Sequence, residues 1–141
     1  MPIQQVSIFM ENRPGRLAGM LAYLAAQGID MRAYSFAETS DFGIMRMLVR
    51  DAERAVAALK EGGYTATKTE VIGLLVQDET GVTVKAFEVL GEAGINVEYS
   101  YAFAMQVKGS AIILIRVDDN ARAAQLLTQA GMTLARAEDL F

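Results

Sequence analysis

The chain has 141 residues, 52% of them apolar and 21% charged, which is enough hydrophobic material for a packed core and excludes wholesale disorder. Its formal net charge of -4 argues against a nucleic-acid partner, because phosphate binding needs a basic face. There is no Cys and no His, which removes disulfides, Cys-ligated metal centres and the Ser-His and Cys-His nucleophile pairs.

The N-terminal Met1-Pro2-Ile3-Gln4-Gln5 lacks a basic region followed by an apolar one, so no secretory signal is expected. The runs 71–76 and 111–115 fall far short of the ~20 apolar residues that span a bilayer. The expectation is a soluble cytoplasmic protein with no membrane association, no metal and no cofactor.

In chain order, Val6, Ile8 and Met10 alternate with Gln5, Ser7 and Phe9, which predicts a strand with one buried face. Pro14-Gly15 then marks a turn into a helix, with Pro14 in the first turn, where a missing N–H costs nothing. Leu17, Leu21 and Leu24 stand at helical spacing on that helix, and Gly28 stops it. Strands follow over 29–37 and 43–50, joined by a polar turn at 38–42. Asp51 is the expected N-cap of a second helix with the stripe Ala55, Val56 and Leu59, ended by Gly62-Gly63, and 64–69 closes the series as a strand. A second series repeats it: strand 71–76, helix 82–93, strands 95–105 and 109–117, helix 119–130 and strand 132–137.

A shift of 66 brings the two series together. It lays Gly15 on Gly81, Leu24 on Leu90, Gly28-Ile29 on Gly94-Ile95, Gly43 on Gly109, Leu48 on Leu114 and Arg50 on Arg116, with a two-residue slip only later, near Gly63 and Gly131. The expected modules are therefore 1–69 and 70–141, each βαββαβ, the ferredoxin-like arrangement. The fold class is α+β: two such modules, each an antiparallel four-stranded sheet with helices on one face, packed side by side. A ~65-residue unit buries only about 60% of its unfolded surface, so the two should pack together.

The segment from Glu11 to Leu17 joins strand to helix. Exposed N–H groups at a helix N-terminus, with the macrodipole behind them, suit a carboxylate, although a tight turn alone would also explain the glycine. The turn Asn12-Arg13-Pro14-Gly15-Arg16-Leu17, followed by Gly28-Ile29-Asp30, resembles the ACT domain, the small regulatory module attached to many enzymes of amino-acid metabolism. Asp78-Glu79-Thr80-Gly81 with Gly94-Ile95-Asn96 matches more loosely, having lost the Pro and the Leu.

The resemblance implies binding of a ligand, usually an amino acid, where the first loop of one module faces the start of strand two in the other. One site would then combine Asn12, Arg13, Pro14 and Gly15 with Asn96 and Val97. A second, weaker site would combine Asp78, Glu79, Thr80 and Gly81 with Asp30 and Met31. Charge separates them, because residues 1–69 carry 8 basic and 7 acidic groups, hence +1, and residues 70–141 carry 5 and 10, hence -5. At the first site Arg13 and Arg16 flank the helix start, and the Asn96 carbonyl could accept from an α-ammonium. At the second, Asp78, Glu79 and Asp30 would repel a carboxylate at ~4 Å by about 1 to 4 kcal/mol.

The remaining features have plainer readings. Met20, Met45 and Met47 are core filling at helix or strand spacing. Tyr34 and Phe36, and the row Tyr99, Tyr101 and Phe103, belong at a sheet edge or module seam, since the basic-aromatic signature of RNA-binding sheets is missing. Asp118-Asp119 caps a helix rather than holding a cation, and Glu138-Asp139 is a solvated tail.

The chain thus reads as a non-catalytic regulatory protein that binds a free amino acid or similar small ligand, with a separate metabolic enzyme as a candidate partner. Apolar strand edges suggest a homodimer. The alternative is an interaction module or regulatory subunit of a separate enzyme, with a vestigial ligand cleft.

Overall fold

The computed structural model describes residues 2–77, 80–105 and 109–141. The chain forms two compact units, one of Gln4–Thr69 with Phe141, the other of Glu70–Leu140 with Pro2 and Ile3. The first contains β1 (Ile3–Glu11) from Gln4 onward, α1 (Arg16–Ala26), β2 (Met31–Glu38), β3 (Phe42–Val49), α2 (Ala52–Glu61) and the beginning of β4 (Thr65–Gln77). The second takes the rest of β4, then α3 (Thr80–Glu92), β5 (Val97–Ala104), β6 (Ser110–Val117), α4 (Asn120–Gln129), β7 (Thr133–Ala135) and α5 (Ala137–Leu140).

The strands predicted over 64–69 and 71–76 are one continuous strand, β4. No proline or glycine interrupts the stretch from Thr65 to Ile72, and its β-branched residues favour extension. Strand order in the first unit is β2-β3-β1-β4, and in the second β5-β6-β4-β7. Both units are ferredoxin-like.

Each core follows from alternation on the strands and three-to-four spacing on the helices. Val6, Ile8 and Met10 of β1 and Met45, Met47 and Val49 of β3 meet Met20 and Leu24 of α1 and Ala55 and Leu59 of α2. In the second unit, Ile72, Leu74 and Val76 with Ile113, Ile115 and Val117 meet Ala86, Leu90, Ala123 and Leu127. Fully burying one Leu, Ile or Met side chain contributes about 1.5–3 kcal/mol, so these clusters dominate the stability of each unit.

Strand register corrects the alignment of the repeat. Val6 pairs with Met47 in one sheet and Ile72 with Ile115 in the other, so β1 maps onto β4 with a shift of 66 while β3 maps onto β6 with a shift of 68. The two extra residues therefore lie in the β5–β6 turn. The matches of Gly43 with Gly109, Leu48 with Leu114 and Arg50 with Arg116 are coincidences of letter. With the corrected shift Asp51 meets Asp119, Arg54 meets Arg122, Ala55 meets Ala123 and Leu59 meets Leu127. The caps agree: Asp51 accepts from the Arg54 N–H and Asp119 from the Arg122 N–H, each at 3.1 Å. Capping is the role of Asp119.

Helices α1 to α4 also end alike, in a left-handed glycine at Gly28, Gly63, Gly94 and Gly131. The following residue donates back into the last turn, as the Ile29 N–H does to Leu24 O at 3.0 Å.

Glu138 and Asp139 are exposed, as expected, and they stand in the short helix α5. The Arg136 N–H donates to Asp139 Oδ2 at 2.8 Å, opening α5, and Leu140 is buried. The Arg136 guanidinium lies 3.5 Å from Asp139 Oδ1. The backbone hydrogen bond from Arg136, reinforced by its charge, holds the Asp139 carboxyl below its ordinary value.

Candidate functional site

The β1–α1 loop is built on one tight turn. The Arg16 N–H donates to Arg13 O at 3.1 Å, closing a four-residue turn with Pro14 and Gly15 at its centre. Gly15 has φ 86 and ψ -14, so the turn is type II, which favours Pro at its second residue and requires positive φ at its third. Pro14 thus stands before the helix rather than in its first turn, and what it supplies is a preset φ for the turn. Gly15 is the N-cap of α1, and no side chain among the described residues caps that helix. A helix N-terminus without a side-chain acceptor presents backbone donors and a positive dipole end to an incoming anion.

The polar side chains around this turn are engaged. Asn12 Nδ2 donates to Glu38 Oε2 at 2.7 Å and the Asn12 N–H to Asp41 O at 2.9 Å, tying the loop to the β2–β3 turn. Arg13 Nε lies 2.8 Å from Glu11 Oε2, and the Arg16 guanidinium lies 5.9 Å from the Tyr64 ring centroid. Glu38 is a neighbour of the loop that sequence reasoning missed. Glu38 is 26 residues from Asn12, and the antiparallel β2–β3–β1 order is what sets the end of β2 near the end of β1.

The first helix of the second unit starts differently. Asp78 and Glu79 lie outside the described residues. Helix α3 already begins at Thr80, so Gly81 is helical, without the positive φ of Gly15. The remaining candidate residues occupy equivalent places in the two units. Asp30 is exposed just before β2, and Met31 opens β2, half-buried against the first core. Asn96 is exposed just before β5, and Val97 opens β5, half-buried against the second core. Both strands carry a bulge at the same point, between Met31 and Ala33 and between Val97 and Tyr99.

The aromatic rows do not correspond. Tyr34 and Phe36 pair with Met47 and Met45, on the face that carries the helices. Tyr101 and Phe103 pair with Leu114 and Ile112, whose neighbour Ile113 faces the second core, so this row lies on the opposite face of its sheet. Among the described residues, no cluster of three or more Asp or Glu side chains could hold a metal ion. No helix among them is long and apolar enough to cross a membrane.

Comparison with known proteins bears on the family and the fold. The family model for an ACT domain pair matches residues 1–141. Among solved structures, protein BT0572 from Bacteroides thetaiotaomicron is 34% identical, with a TM-score of 0.90 over 99% of this chain and 96% of that one. The regulatory subunit of aspartate kinase from Thermus thermophilus, in its ligand-free form, shares the fold at 19% identity, with a TM-score of 0.64 over 92% of this chain and 93% of that one. No curated protein sequence matches the chain. With the whole chain matched and both modules present, the protein belongs to the ACT domain pair family.

Proposed function

We propose that this chain is a non-catalytic regulatory protein that binds a free amino acid or a similar small ligand. The site combines Asn12, Arg13, Pro14 and Gly15 of the first unit with Asn96 and Val97 of the second. The observation that carries the reading is the uncapped start of α1 behind the type II turn at Pro14-Gly15. A ligand carboxylate would accept from the backbone donors there, and the Asn96 carbonyl would accept from the ammonium. The loop containing Asp78, Glu79, Thr80 and Gly81, with Asp30 and Met31, is the weaker site, because its helix lacks the left-handed glycine turn. Any regulatory effect acts on a separate protein or through self-association, and the chain works as a homodimer.

Thermal melting against the common amino acids, each near ~10 mM, tests the reading. A ligand at ~100 times its dissociation constant stabilises by about 2.7 kcal/mol, which shifts the transition by several degrees. Asn12→Ala and Asn96→Ala should abolish the shift while Asp30→Ala retains it. No shift for any amino acid would favour the alternative, an interaction module with a vestigial cleft, for which the acidic character of Asp78-Glu79 speaks.

A further inference from the structure

With the two-residue insertion placed, each core position of the first unit has a counterpart in the second, and the two cores differ in one consistent way. Met10, Met20, Met45 and Met47 are buried in the first core, and Met31 packs half-buried against it. Their counterparts are Val76, Ala86, Ile113, Ile115 and Val97. The pairs Val6 with Ile72, Ile8 with Leu74, Leu24 with Leu90 and Leu59 with Leu127 contain no methionine in either unit. In the second unit Met132 is half-buried against the core.

Methionine is unbranched, with three rotatable side-chain bonds, so it fills one space in several ways. Valine and isoleucine are stiff at χ1, and alanine has no side-chain rotamer to change. The first core can therefore repack around alternative methionine conformations, whereas the matching positions of the second core cannot.

Helix α1 is the element that such repacking frees. Its buried residues are Met20 and Leu24, while α2 buries Ala55 and Leu59 and carries no methionine. The C-terminal half of α1 is fastened to α2. The Tyr23 hydroxyl donates to Ala58 O at 2.6 Å, and the Arg54 guanidinium donates to Gln27 O at 2.6 Å. The Tyr23 ring lies against Gly62, where a Cβ would run into it. The N-terminal half, Arg16 to Met20, has no side-chain cap, and it follows the end of β1, where Met10 stands and Met45 pairs with Ile8. Arg16 is exposed and lies 5.9 Å from the Tyr64 ring centroid, a contact that a moving helix end can lengthen.

We propose that the first unit carries a hinge that the second lacks: the start of α1 swings over the methionine core about a fixed point at Tyr23, and it carries the Pro14-Gly15 turn with it. The swing belongs to the chain by itself and does not depend on what the turn binds. Relaxation dispersion of backbone amides in the full chain tests it, because collective helix motions fall in the microsecond-to-millisecond range. Dispersion should appear over 15–20, fade beyond Tyr23, and be absent from α3. M20L/M45I/M47I, close in volume to the wild type, should fold by its melting curve and lose the dispersion. Should the triple variant fail to fold, Met20→Leu alone should reduce it. Tyr23→Phe removes the hydroxyl that fastens the hinge and should extend the dispersion into 24–26. A flat profile over 15–20 in the wild type, or equal dispersion in α1 and α3, overturns the hinge. A folded methionine variant with unchanged dispersion overturns the core as its cause. The melting assay reads ligand binding separately, so neither failure is confused with a failure of the ligand reading.

Discussion

Gly15 and Gly81 are matched by the repeat, yet the same substitution should move stability in opposite directions. Gly15 sits at φ 86, and a Cβ built there meets nothing within 4 Å. The cost of Gly15→Ala is therefore purely conformational: about 1–2 kcal/mol for an L-residue in the left-handed region, offset by roughly 0.4–1 kcal/mol from the stiffer unfolded chain. The net is about 1 kcal/mol of destabilisation. Gly81 is helical and also has open space around its Cβ position, so Gly81→Ala gains roughly 0.5–1 kcal/mol. For 141 residues, ~1 kcal/mol corresponds to about 3 °C in Tm. Calorimetry of the two variants should show one melting about 3 °C lower and the other about 2 °C higher. Shifts of the same sign would refute the reasoning, because they would mean that Gly15 and Gly81 share a backbone conformation.

Two further predictions concern the caps and the C-terminus. Asp51→Ala and Asp119→Ala should each destabilise by about 1 kcal/mol in urea denaturation, and the double variant should be near additive, because the two residues cap different helices through different N–H groups. The lowered carboxyl of Asp139 contributes stability that is present above its ordinary value of 3.8 and is lost as pH falls through its lower folded value. Stability measured from about pH 6 down to about pH 2 should therefore fall less steeply in Asp139→Asn than in the wild type; an unchanged acid limb would show that the Arg136 contacts carry none of it.

Much of the fold was legible because the elements that define it repeat through their cores. The pairs Leu24 and Leu90, and Leu59 and Leu127, are buried in both units, and a buried leucine at helical spacing is a constraint that a single sequence can display. The point where the two copies change register was not legible. Arg50 and Arg116 agree by chance at the wrong shift, and only the ladders, Met47 opposite Val6 and Ile115 opposite Ile72, place the two-residue insertion in a turn. The loop at Asn12 shows the same division. Its type II turn follows from Pro14-Gly15, which is local chemistry. The pairing of Asn12 with Glu38 follows from strand order, which no spacing along the chain records.

The two units differ most at the start of their first helices and along their outer strands. The first keeps the Pro-Gly turn with an uncapped helix start, while the second begins its helix earlier and puts glycine inside it. The first turns its aromatic pair to the helix-bearing face at an open edge, while the second turns its row to the other face. Neither change touches the core positions, which match as Ala55 with Ala123 and Leu59 with Leu127. Core residues are held by packing that both units need, whereas an exposed loop or outer strand is free to diverge at a cost of under about 0.5 kcal/mol per substitution. Divergence confined to such positions leaves two intact scaffolds with unequal surfaces.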